Sequence, residues 1–106
     1  MWFVFPQIAG LGQSPISRRF AIASLDEARA YLAHPTLGPR LTESARALTE
    51  LPNRSAEAVL GGIDAIKLRS SMTLFHHADP DEALFVQVLG QYFDGETDEA
   101  TEQRLE

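Results

Sequence analysis

The chain has 106 residues, of which 44% are hydrophobic and 23% charged, with 9 Lys+Arg against 15 Asp+Glu and no cysteine. That length predicts one domain with a core that needs no staples, and the absent thiols exclude a disulfide framework, a thiolate zinc site and a cysteine nucleophile. A net charge of −6 argues against broad electrostatic binding of nucleic acid. No apolar run approaches the ~20 residues of a membrane span, and Met1-Trp2-Phe3-Val4-Phe5 lacks the basic start of a signal peptide. The expectation is a cytoplasmic protein with no nucleic-acid or membrane partner.

In chain order, Met1 to Phe5 reads as an extended apolar segment, able to pair with a brief strand at Phe20-Ala21-Ile22-Ala23. Gly10, Gly12 and Pro15 make residues 9–17 a loop. Large apolar residues at a terminus need cover. Later helices, a preceding segment or a second copy supply it, so a homodimer through this segment is one expectation.

Ser24-Leu25-Asp26-Glu27 has the spacing of a capping box, opening a helix that Pro35 stops. A second helix starts around residues 36–39, with Leu37, Leu41, Leu48 and Leu51 as its apolar stripe and Pro52 at its end. Ser55 is expected to cap a short third helix closed by Gly61-Gly62. Asp64 then caps a fourth, running to about Ala78. Asp79-Pro80-Asp81-Glu82 predicts the next helix start, with Asp79 as cap. Leu84, Phe85, Val88, Leu89, Tyr92 and Phe93 follow at a helical period, and Asp94-Gly95 ends the run. Residues 97–106 offer only Ala100 and Leu105 to bury, so a last helix there is expected to fray.

The class is mainly α: a single compact domain of about five short helices. An extended N-terminal segment and at most a short two-stranded β element accompany them. Residues 1–23 form the apolar segment and glycine-rich loop, 24–93 the helical core, and 94–106 an acidic, partly frayed tail.

Chemistry concentrates on the fourth helix. Leu68, Met72, Leu74, Phe75 and Ala78 form an apolar arc on a helical wheel, and Lys67 and Ser71, one turn apart, project inside it. Arg69, Thr73 and His76 take the opposite side. A lysine within an apolar arc is costly to desolvate unless paired, or it snorkels its amine to water. The pair suggests an anion pocket; a Ser–Lys dyad would need an oxyanion hole that the sequence does not show. His76-His77 are adjacent and cannot ligate one metal from one helix face, so they read as solvated helix-end residues, and no metal or cofactor is expected. Gly10 to Arg19 offers free amides, Ser14 and the guanidiniums of Arg18 and Arg19 to an anion, without a full phosphate-loop motif.

Several stretches together resemble the bacterial DUF1810 family: Trp2 to Gln7, Gly10-Leu11-Gly12 with Ser14, Tyr31-Leu32 with His34-Pro35, Leu37-Gly38 with Arg40-Leu41, and Lys67-Leu68 followed by Ser70 to Phe75. The resemblance covers residues 1 to about 93 and implies a mostly helical fold whose biochemical function is not established. It implies a further helical stretch ahead of the tryptophan segment. Some members are labelled calpastatin, but inhibitors of that kind are long, repeated and disordered, whereas this chain is short and periodic.

Three readings follow. The first is a small domain binding an anionic small molecule, with Gln7, Ser14, Arg18, Arg40, Lys67 and Ser71 converging on one cleft. The second is an interaction or self-associating module using an exposed Trp2/Phe3/Phe5 patch. The third is a hydrolase or transferase on a nucleotide-like ligand, with Lys67 or His34 as general base and Ser71 as nucleophile or orienting group.

Overall fold

In the computed structural model, residues 5–8, 21–51 and 62–105 are described, the side chains of 63 and 64 excepted. Five helices occupy them: α1 (Leu25–Ala33), α2 (Leu37–Thr49), α3 (Gly62–Ala78), α4 (Ala83–Phe93) and α5 (Glu99–Leu105). The fold is mainly α. Its β content among the described residues is one parallel bridge, Ile8 to Ile22, where the Ile22 amide donates to the Gln7 carbonyl at 2.8 Å. Among the described residues pairing falls on Ile8; residues 1–4 and Phe20 of the expected pair lie outside them.

The capping box opens α1. Ser24 Oγ accepts the Glu27 amide at 3.2 Å, while Glu27 reaches one residue past the cap to accept the Ala23 amide at 2.8 Å. The helix stops at Ala33 because Pro35 pushes its predecessor out of helical geometry, and His34 is extended at ψ 131.

The turn into α2 is built by the residues of the Tyr31-to-Leu41 motif. His34 Nδ1 accepts both the Thr36 and Leu37 amides at 3.1 Å, satisfying two of the donors that a helix start leaves open. Gly38 lies so close to α1 that an added Cβ would meet the Leu32 carbonyl oxygen at 2.0 Å. Leu41, Ala45 and Leu48 turn inward, whereas Leu51, expected in the stripe, lies past the helix end and is exposed. Gln91 and Tyr92 of α4 donate to the Leu48 carbonyl and so close the end of α2.

The third expected helix, around Ser55, lies outside the described residues. The helix expected from Asp64 begins at Gly62. Residues 79–82 form a turn instead of a first helical turn. The Glu82 amide donates to the Asp79 carbonyl at 3.1 Å, and Glu82, not Asp79, caps α4 by accepting the Leu84 amide. Asp94 and Gly95 end α4 with φ of 56° and 80°, the left-handed geometry of a helix stop.

Four helices form a closed ring: α1 packs on α2 and α3, and α4 packs on α2 and α3. Phe75 sits at its centre between Tyr31 of α1, 5.5 Å away ring to ring, and Phe85 of α4 at 6.0 Å. Phe5, Ile8 and Ile22 join this core. Phe5 is therefore not part of an exposed apolar patch. Such interdigitation gives a compact body, with a Cα radius of gyration of 12.6 Å.

The fifth helix packs on α3. Its buried residue is Thr101, whereas Ala100 is exposed. This attachment also corrects the wheel: Thr73, expected on the outer side of α3, is fully buried because α5 and its lead-in cover that face.

Candidate functional site

Helix α3 is buried almost all round, with every residue from Ser70 to Phe75 inside. Its inward side carries the expected apolar arc of Leu68, Met72, Leu74, Phe75 and Ala78. Lys67, Ser71 and Phe75 occupy successive turns of one ridge, the i, i+4, i+8 positions that stack along a helix. Lys67 is half-buried and has a partner. It is the only lysine of the chain.

Three hydroxyl residues in the middle of α3 behave differently. Ser70 Oγ donates to the Ile66 carbonyl at 3.1 Å, and Thr73 Oγ1 donates to the Arg69 carbonyl at 2.8 Å. Both follow the usual habit of helical hydroxyls, which bond back to the preceding turn. Ser71 does not. It is fully buried, and its Oγ has no hydrogen-bond partner. A buried polar group left in this way costs about 1–3 kcal/mol.

Tyr31 marks the far end of the same ridge through its contact with Phe75. Burial raises the pKa of its phenol above the ordinary value of 10.0, and the nearby Arg40 guanidinium pulls it partly back. Arg40 itself is exposed on the first turns of α2. Tyr31, which packs on Phe75, stands between it and the ridge.

Of the remaining expected site residues, Gln7 is buried at the β-bridge, and its side chain belongs to the interior. Ser14 and Arg18 lie outside the described residues, as does Arg19. His34 has Nδ1 committed to two amides of α2, so that nitrogen is a cap and not a base. An open hollow lined by Arg29, Leu32, Ala33, Ala78 and Asp79 contains none of the expected site residues. Arg29 there donates to the Ala78 carbonyl at 3.3 Å, closing the end of α3.

The histidines at the end of α3 are not simply solvated. Both are half-buried, His77 Nε2 pairs with Glu102 of α5, and His76 Nδ1 is buried without a partner. Among the described residues no group of three His, Asp or Glu side chains is arranged to hold a metal ion. None of the described helices is long and apolar enough to cross a membrane.

A second polar cluster escaped the sequence reading. Arg69 donates to the carbonyls of Glu96 and Thr97, the shortest contact being 2.7 Å. Thr73 Oγ1 also accepts the Asp98 amide at 2.9 Å. The Asp98 carboxylate accepts both the amide and the hydroxyl of Thr101. Two signals were present: Arg69, Thr73 and His77 share one helix face at spacings of four, and Asp98 stands three before Thr101, the spacing of an N-cap.

The fold is shared with a solved protein. The crystal structure of the conserved hypothetical protein Rv1873 from Mycobacterium tuberculosis superposes with a TM-score of 0.96 at 47% identity, covering 98% of this chain and 74% of that one. No curated protein matches the chain. The corner built by His34 and Gly38 and the α3 segment from Lys67 to Phe75 lie within residues 1–105, which match the model of DUF1810, described as a protein of unknown function, and the chain belongs to that family.

Proposed function

We propose that the protein binds a small anionic ligand at the Lys67–Ser71 ridge of α3. The observation that carries this reading is the Ser71 hydroxyl, buried and without a partner between two hydroxyl residues that satisfy themselves. An alanine there would keep the helix and remove the cost of the stranded hydroxyl. A group that destabilises the resting fold is consistent with a binding role.

Lys67 supplies the charge. On a chain of net charge −6, an anion needs a local cation to offset the general repulsion. Arg40 stands at the Tyr31 end of the ridge, and Gln7, Ser14 and Arg18 complete the proposed ligand set. Because the Ser71 hydroxyl has no solvent contact, the ligand enters with a local rearrangement. That rearrangement weakens the apparent affinity by the population of the open form.

The test is a thermal-shift comparison of wild type, Ser71→Ala and Lys67→Ala with inorganic phosphate, adenosine monophosphate and succinate. Ligand at a hundred times its Kd stabilises the folded form by about 2.7 kcal/mol, roughly 10–20 °C for a domain of this size. We expect one probe to raise the melting temperature of wild type and neither variant to respond. We also expect ligand-free Ser71→Ala to melt above wild type, by about 1 kcal/mol of stability. A Ser71→Ala protein that melts lower, or one that keeps the full ligand response, overturns the reading.

A further inference from the structure

We infer that α5 with its lead-in, from Glu96 to Leu105, is a strap that opens from α3 as one unit while the four-helix ring stays folded. The ring helices are joined by apolar side chains that reach the shared core. The strap is joined to α3 by polar contacts: Arg69 to the carbonyls of Glu96 and Thr97, Thr73 to the Asp98 amide, and His77 to Glu102. Leu105 is its one hydrophobic side chain packed against the core, and only partly buried.

The two kinds of attachment respond differently to opening. Apolar surface leaving its partner has no substitute in water, so a ring helix opens only with the core. A carbonyl or carboxylate released from Arg69 or His77 regains hydrogen bonds from solvent, so each such contact contributes only modest net stability. Segments held in this second way are the ones that open sub-globally. The break falls naturally at Glu96: its amide and that of Gly95 are still tied to the end of α4 through the carbonyls of Phe93 and Leu89, whereas its carbonyl faces Arg69. Opening bares the Arg69 guanidinium, the Thr73 hydroxyl and the His77 imidazole, a polar face on the helix that also carries Lys67 and Ser71.

Amide hydrogen exchange of the whole chain under native conditions tests this. The amides of residues 102–105 are expected to exchange at least tenfold faster than those of Val88 and Leu89, with a weaker dependence on added denaturant. Arg69→Ala and, independently, Glu102→Ala should speed exchange in 102–105 at least threefold and leave α2 and α4 unchanged. If α5 exchanges at the same rate and with the same denaturant dependence as α4, or if both substitutions accelerate every helix equally, the strap does not exist.

Discussion

Helix α3 meets two different environments. Toward α1 and α4 it presents Leu68, Met72 and Phe75, closed over by Tyr31 and Phe85. Toward α5 it presents Arg69, Thr73 and His77, closed over by carbonyls, an amide and a carboxylate. Each side holds a fully buried residue, Phe75 on one and Thr73 on the other. Burial alone therefore does not reveal what holds a helix in place; the chemistry of the covered face does. The apolar side is held by area removed from water, which is large and nondirectional. The polar side is held by matched donors and acceptors, which give register and direction at smaller net stability. Ser71 is the exception on the apolar side, a hydroxyl placed where neither rule satisfies it.

Substitutions on each side should differ in size accordingly. Phe75→Ala opens a cavity at the centre of the ring and is expected to cost about 3–5 kcal/mol, measured as the change in urea midpoint at constant slope. Gly38→Ala is next. Its methyl would sit 2.0 Å from the Leu32 carbonyl oxygen, and because that atom is backbone, α1 and α2 must move apart at a cost of about 3 kcal/mol. A Gly38→Ala protein with wild-type stability would show that the α1–α2 corner is looser than its geometry.

On the polar side the effect shrinks. Asp98→Ala removes the acceptor of the Thr101 amide and hydroxyl, an N-cap loss worth about 1–2 kcal/mol. Circular dichroism should lose signal equivalent to one short helix before the main unfolding transition. A loss as large as that of Phe75→Ala would erase the distinction between the two sides.

The smallest effect sits at Tyr31, where the apolar side meets the charge of Arg40. Its phenol holds its proton more tightly when folded than the ordinary value of 10.0 because burial disfavours the phenolate. The stability linked to this group is complete below pH 10 and declines as pH rises from there through the folded-state pKa. Tyr31→Phe should flatten that alkaline decline in melting temperature. An unaltered decline would assign it to other groups.

Much of this was legible in the residues. Local rules placed α1 by its capping box, ended it at Pro35 and stopped α4 at Asp94-Gly95. The family resemblance singled out the Tyr31-to-Leu41 stretch and the Lys67-to-Phe75 stretch before any contact was known. Asp79 is not the cap because Asp-Pro-Asp-Glu satisfies a turn as well as a helix start: the Glu82 amide bonds the Asp79 carbonyl, and the cap passes to Glu82. Lys67 and Ser71 were found by their positions on the wheel. The Arg69–Thr73–Asp98–Thr101 cluster was missed because its halves stand more than twenty residues apart.

What the sequence determined by itself was therefore local: the helical period, the punctuation between helices and the polar pair inside an apolar arc. Each rests on groups within about four residues of one another, whose geometry the backbone fixes. Only the tertiary structure decided which faces meet. It turned Thr73 inward by laying α5 over it, brought Arg69 to the carbonyls of Glu96 and Thr97, and left the Ser71 hydroxyl without a partner. Those outcomes depend on donors and acceptors brought together from distant parts of the chain, and no local period encodes that pairing.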